Sequence, residues 1–207
     1  MTTRTLTRRA ALVAVTGVAS VVLAACDGGG GDHAGHGTPA STSATATAAA
    51  HNAQDVAFAQ GMIPHHQQAL EMARLADGRA SSAQVLDLAT RIEKAQDPEI
   101  RTMTGWLKTW GEQMPMAGMD HSGHAGMSGM MSDDDMAALK KATGTDFDTK
   151  FLSLMVEHHQ GAVEMAEAEK GKGQYGPAEG MADDIVSAQN AEIEEMKQLL
   201  GKSESKS

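Results

Sequence analysis

A chain of 207 residues with 27 acidic and 17 basic side chains, net −10, repels nucleic acid and favours cations as partners. Only three Phe, two Trp and one Tyr stand against 15 Met, so any core must be aliphatic and thioether-filled. A single cysteine excludes an internal disulfide and a thiolate cluster, which leaves His, Met, Asp and Glu for metal chemistry.

Residues 1–25 read as a lipoprotein signal peptide and stand outside the fold. Arg4, Arg8 and Arg9 form a basic start, an apolar stretch runs from Ala10 to Ala25, and Leu23-Ala24-Ala25-Cys26 resembles the bacterial lipobox. A cysteine in that position is lipidated and becomes the mature N-terminus, so Cys26 is the expected lipidation site and the protein is expected to be extracytoplasmic and anchored to the cell membrane. The apolar run is too short and too early for a dedicated membrane span, and Arg8-Arg9 leaves general and twin-arginine export open. Taking three Arg from the 17 basic residues leaves 14 against 27 acids in the mature chain, net −13. Residues 26–50 are rich in Gly, Ala, Ser and Thr without apolar periodicity, the composition of a flexible tether.

From His51 the sequence repeats itself. FAQGMIPHHQQALEMA at 58–73 recurs as FLSLMVEHHQGAVEMA at 151–166 with 9 of 16 positions identical, and the same offset of 93 carries 95–103 onto 188–196. A constant offset across two segments marks a duplicated structural unit, here the domain 51–203. The spacing predicts a first helix over 53–76 that ends at Gly78, with Asn52 and Asp55 as N-cap and capping-box partner. Its copy is expected over 146–169, with Thr145 and Asp148 in the same capping roles. Phe58, Met62, His65, Ala69, Met72 and Ala76 step by 4, 3, 4, 3 and 4, a stripe that faces a helical partner. The second helix of each unit starts near Ser81 or Ser82 and near Pro177, with a kink expected at Pro98. Between the copies, residues 112–131 are Gly- and Met-rich, and Ser132 followed by three Asp begins a short capped helix. No strand pattern is present. Two helical hairpins joined by one long connection predict an all-α, antiparallel four-helix bundle.

The duplication preserves candidate ligands as well as packing residues. Met62, His65, His66, Met72 and Met103 map onto Met155, His158, His159, Met165 and Met196. Thioether and imidazole are soft or borderline donors suited to Cu(I), Ag(I) or Cu(II). The bland alternative is that these histidines are hydrogen-bonded core residues and the methionines fill gaps. Successive residues on a helix point about 100° apart, so one histidine of each pair, His65 and His158, is expected on the axis and the other beside it. Gln96 and Gln189 are expected to hydrogen-bond inside the bundle, where they can orient an imidazole. Glu71, Glu164, Glu99 and Glu192 read more readily as helix-surface residues than as ligands. The connection holds Met114, Met116, Met119, His121, His124, Met127, Met130 and Met131, a candidate labile metal loop. Neutral imidazole is required for binding, so affinity is expected to fall as pH drops through about 6.5.

The run from His51-Asn52 through Asp55, Phe58-Ala59-Gln60-Gly61-Met62-Ile63-Pro64-His65-His66 to Glu71-Met72-Ala73, with its second copy around His158-His159, resembles the signature of the domain-of-unknown-function family 305. That resemblance covers about 51–200 and implies a ferritin-like helical bundle and an exported copper-binding role of the CopM type. The second copy replaces Pro64 by Glu157 and Gln68 by Gly161, so its site need not equal the first.

The expected function is therefore a non-enzymatic, membrane-tethered protein that sequesters, buffers or transfers copper (Cu(I) favoured) or silver, with a transfer partner of unknown identity. The competing readings are a ferritin-like redox enzyme and a metal-free structural or interaction bundle. The first needs Glu-x-x-His pairs, and no Glu here is followed three residues later by His. Nucleophile elbows, phosphate-binding glycine loops and basic-aromatic patches are absent from the sequence, so hydrolase, nucleotide and nucleic-acid readings have no support.

Overall fold

The computed structural model describes residues 50–115 and 128–204. They form five helices: α1 (Ala53–Arg74), α2 (Ala83–Trp110), α3 (Asp133–Lys141), α4 (Gly144–Lys172) and α5 (Gly176–Glu204). Among the described residues there is no strand, only an isolated bridge between Ala80 and Gly144. The principal helix contacts are α1 with α2, α4 with α5, and α1 with α4, while the short α3 packs on α4.

Local chemistry starts and stops these helices. Asn52 caps α1 through its side-chain oxygen, which accepts from the N–H groups of Gln54 and Asp55, and the Asp55 carboxylate returns a bond to the Asn52 N–H. Ser132 and Asp135 form the same box on α3, whose Asp-rich first turn and Lys140-Lys141 last turn both suit the helix dipole. Two expectations need correction. α4 starts at Gly144 with Thr143 as N-cap, and no side chain caps it. Asp148 leaves the capping role because it accepts from the Ser81 N–H, the Ser81 hydroxyl (2.5 Å) and the Ser82 N–H (2.9 Å), 66 and 67 residues away. α2 continues as one helix across Pro98, and Asp97 pairs with Arg101 on the same helix.

The repeat partner of Asp148 is Asp55, and it holds the other hairpin in the same way. Its carboxylate accepts from the N–H groups of Gln174 (3.0 Å) and Tyr175 (2.9 Å) at the start of α5. Each hairpin therefore begins with an aspartate that clips the turn of the other. These bonds fasten the halves together at both ends, using backbone donors that the helix starts would otherwise leave unpaired.

Packing follows the duplication. One core joins Ala69, Met72, Val85, Leu88 and Ile92 of the first hairpin to Phe151, Met155, Ile193 and Met196 of the second. The other joins Phe58, Met62, Met103 and Leu107 to Ala162, Ala166, Ala178 and Ile185, with Trp106, Trp110 and Tyr175 packed against it. An offset of 93 interchanges the two sets, so the late half of α1 shares a core with the early half of α4, and the reverse. The histidine pairs fall between the two cores, at the middle of both helices.

One position breaks the pattern at cost. Glu169 corresponds to Ala76 and is fully buried, with its carboxyl beside that of Asp55 and the amide of Gln54. Burial first, and then the neighbouring Asp55 carboxylate, push its pKa from 4.5 to about 8. Burial alone would raise Asp55 too, but the N–H groups of Asn52 and Tyr175, a hydrogen bond from the protonated Glu169 carboxyl and the N–H of Gln174 outweigh it and hold that carboxyl below its ordinary value. A raised folded-state pKa means the native form binds the extra proton, so stability is complete below about 4.5 and declines as pH rises through 8. Glu169→Gln is expected to abolish this decline. Urea midpoints of the wild type should fall more steeply than those of the variant between about pH 5 and pH 9, and equal slopes would show that Glu169 titrates normally.

Candidate metal centre

α1 and α4 place four histidines where the helices meet. His65, His66 and His159 are 0% exposed and His158 is 1% exposed, so both members of each pair are buried. One of each pair, His65 or His158, faces the helix crossing, and the second turns towards the other helix of its own hairpin, as the 100° step between neighbours anticipates. His66 Nε2 lies 2.7 Å from a carboxylate oxygen of Glu99 on α2, and His159 Nε2 lies 2.8 Å from Glu192 on α5.

His65 and His158 face each other across the helix crossing with ring centroids 3.8 Å apart and planes tilted by 41°. Neither has a hydrogen bond to either ring nitrogen, and the Nδ1 atoms of His66 and His159 are also without a partner. Burial, followed by repulsion from His66 and His159, lowers the His65 pKa to about 3. Burial and the neighbouring histidines drive His158 well below 6.5. Burial thus favours the neutral form of both rings below their ordinary range.

The thioethers sort into two groups around this layer. Met62 and Met103 are fully buried in one core with Met165 half-buried against it, and Met72, Met155 and Met196 are fully buried in the other. These are the same three repeat positions, taken crosswise. Among the described residues no three His, Cys, Asp or Glu side chains are grouped to hold a metal ion. A site here must therefore recruit thioethers or use the two facing imidazoles, a donor set of soft character. Gln96 and Gln189 are buried, but their side-chain oxygens accept no hydrogen bond, so the expected orienting role is not realised. Glu71 pairs with Lys140 at the surface, and Glu164 is exposed.

The end of the Met-rich connection docks beside the histidines. Gln68 bonds both backbone groups of Met131, its Nε2 donating to the carbonyl (2.9 Å) and its Oε1 accepting from the N–H (2.8 Å). Met131 is thereby buried in the first core. Gly129, at φ 80°, crosses α4 so closely that a Cβ would stand 2.8 Å from the Glu157 carbonyl oxygen and 2.9 Å from that of His158. Gly161 is the facing notch, where a Cβ would strike the Ser128 carbonyl. At the other end of the connection, Gln60 donates to the Gln113 carbonyl (2.9 Å). Met114 is exposed and Met130 half-buried. Met116, Met119, His121, His124 and Met127 lie outside the described residues, as does Cys26.

Glu99, Glu192, Gln68 and Gly161 are the residues that sequence reasoning undervalued. A signal was present for each. The separation of 33 residues from histidine to glutamate is kept in both copies, and the Gln68/Gly161 departure from the repeat falls where the connection lands.

These features define an all-helical protein with a buried imidazole layer between two methionine cores. The chain belongs to the DUF305 family, a domain of unknown function, whose model matches residues 55–200. It is similar to a DUF305 fragment from Deinococcus radiodurans at 34% identity, covering 73% of this chain and 97% of that one with a TM-score of 0.66. A DUF305 protein from Streptomyces coelicolor described as secreted matches at 32% identity over 72% and 93% of the two chains, TM-score 0.66. CopM in its Cu(II)-bound form matches at 36% identity over 72% and 96%, TM-score 0.62. A search of curated proteins finds no significant match.

The docked glycines can be tested separately from the metal. Gly161→Ala forces the connection off α4 and should destabilise the fold by about 1–3 kcal/mol, as overpacking does. Gly105→Ala on α2 meets nothing within 4 Å and should instead stabilise by about 0.5–1 kcal/mol. Chemical denaturation of the two variants reads both signs.

Proposed function

We propose that the protein binds copper or silver through methionine and histidine side chains, and that it sequesters, buffers or passes on the ion from an extracytoplasmic, lipid-anchored position. The observation that carries this reading is the set of six unpartnered ring nitrogens on four buried histidines. Burying a polar atom without a hydrogen bond costs about 1–3 kcal/mol, so a fold that retains several of them has a use for their lone pairs. A metal ion satisfies such lone pairs, and the thioethers on either side favour a soft monovalent ion, which makes Cu(I) the preferred cargo with Ag(I) and Cu(II) as further candidates. Related structures exist as CopM in Cu(I)-bound, Cu(II)-bound and silver-bound forms, which supports the same chemistry here.

The core ligands we assign are His65, His66, His158 and His159 with Met62, Met72, Met103, Met155, Met165 and Met196. The connection, with Met114, Met116, Met119, His121, His124, Met127, Met130 and Met131, is assigned a second and more labile site. Ordering a glycine-spaced segment around an ion costs about 1–2 kcal/mol per residue, which favours weaker binding there than by ligands fixed on helices. Lipidation at Cys26 would keep this store at the cell membrane. The assigned role is binding and transfer without turnover, and net −13 for the mature chain argues against nucleic acid as a partner.

The test is competition for Cu(I) and Ag(I) on the protein and on the double variant His65→Ala/His158→Ala. The variant should lose a defined share of tight binding while its helical circular dichroism is unchanged. Unchanged metal content would make these histidines packing residues. Because burial keeps His65 neutral down to about 3, tight binding should persist at about pH 5.5, where a site built on ordinary histidines near 6.5 weakens. Loss at that pH of the share of tight binding that the double variant also lacks would remove the core pair from the site.

A further inference from the structure

The two glutamates bonded to His66 and His159 have a role that goes beyond surface pairing. We propose that Glu99 and Glu192 are positioning residues that hold His66 and His159 in the Nε2–H tautomer and so present each Nδ1 lone pair inward as the metal-binding atom. This rests on the metal-binding reading above and specifies which atom of each ring does the binding.

The geometry is repeated. His66 Nε2 to Glu99 is 2.7 Å and His159 Nε2 to Glu192 is 2.8 Å, each pair linking the first helix of a hairpin to the second across 33 residues. The imidazoles are fully buried, whereas the carboxylates keep 25% and 15% side-chain exposure. A carboxylate oxygen only accepts, so the ring nitrogen facing it must supply the hydrogen. A neutral ring with Nε2–H has a bare lone pair on Nδ1, and both Nδ1 atoms are buried with no partner. A carboxylate behind a ligating histidine fixes ring orientation and raises donor strength, which is the service these two glutamates are placed to give. His65 and His158 have no such carboxylate. The repeat thus supplies two pre-set Nδ1 donors beside two rings that face each other.

The experiment uses the protein labelled with nitrogen-15 in its histidines. In the metal-free state, long-range proton–nitrogen correlations should place Nε2 of His66 and His159 in the protonated range and Nδ1 in the unprotonated range. On adding Ag(I), silver–nitrogen coupling should appear at Nδ1. Glu99→Gln/Glu192→Gln keeps an accepting oxygen and should preserve both signatures. Glu99→Ala/Glu192→Ala should lose the fixed tautomer and weaken Ag(I) binding by about 10–100-fold at unchanged helix content. Protonated Nδ1 in the metal-free protein, coupling at Nε2, or wild-type affinity in the alanine pair overturns the proposal. If the wild type takes up no Ag(I), the metal-binding reading fails, and the metal-free spectrum alone then decides the tautomer.

Discussion

The meeting of His65 and His158 at the crossing of α1 and α4 is the constraint around which the molecule is arranged. Two neutral imidazoles 3.8 Å apart, with four ring nitrogens unpaired, occupy the place where a bundle of this size would ordinarily put aliphatic side chains. At about 1–3 kcal/mol for each unsatisfied atom, the layer takes back a large part of a net stability that is typically about 5–15 kcal/mol. The two cores on either side must supply the surplus. They do so with fully buried Phe147, Phe151, Leu88, Ile92 and Leu107 and with methionines, whose flexible thioethers fill irregular space beside the rings and remain available as donors.

Duplication solves the problem of placing this layer, and departures from it build the rest. Where the copies agree, as at Asp55 and Asp148, or at His66–Glu99 and His159–Glu192, the same bond is made twice and the halves are locked symmetrically. Where they differ, one structure is served by both differences. Gln68 grips the Met131 backbone and Gly161 clears room for Ser128 and Gly129, so both departures serve the seating of residues 128–131. A symmetric pair of glutamines, or of glycines, would lack either the grip or the notch.

The electrostatics of the interior act in opposite directions with pH. Burial lowers His65 and His158, so their neutral forms favour the folded state above about 6.5 and that contribution is lost on acidification towards 3. Burial raises Glu169, whose contribution is lost on the alkaline side. Both effects have one cause, the removal of a titratable group from water, and the sign follows from which protonation state carries the charge.

Much of the architecture was legible before any coordinates. The 93-residue offset, the 4-3-4-3 stripe, the Asn52/Asp55 box and the Ser132 cap determined helix type, helix number and the pairing of equivalent positions, because these depend on neighbours within a turn or two. Burial of Met62, His65, Met155 and His158 followed from the same stripe. What only the tertiary structure decided lies between helices. The burial of His66 and His159, the rescue of their Nε2 by Glu99 and Glu192, the diversion of Asp148 from capping to the Ser81–Ser82 turn, and the landing of Met131 on Gln68 each join residues 33 to 67 positions apart. Periodicity reports the face on which a residue lies and carries no record of what stands opposite, since that depends on how the helices cross. The burial of Glu169 has the same origin, since nothing in its own helix places the Asp55 carboxyl of α1 beside it.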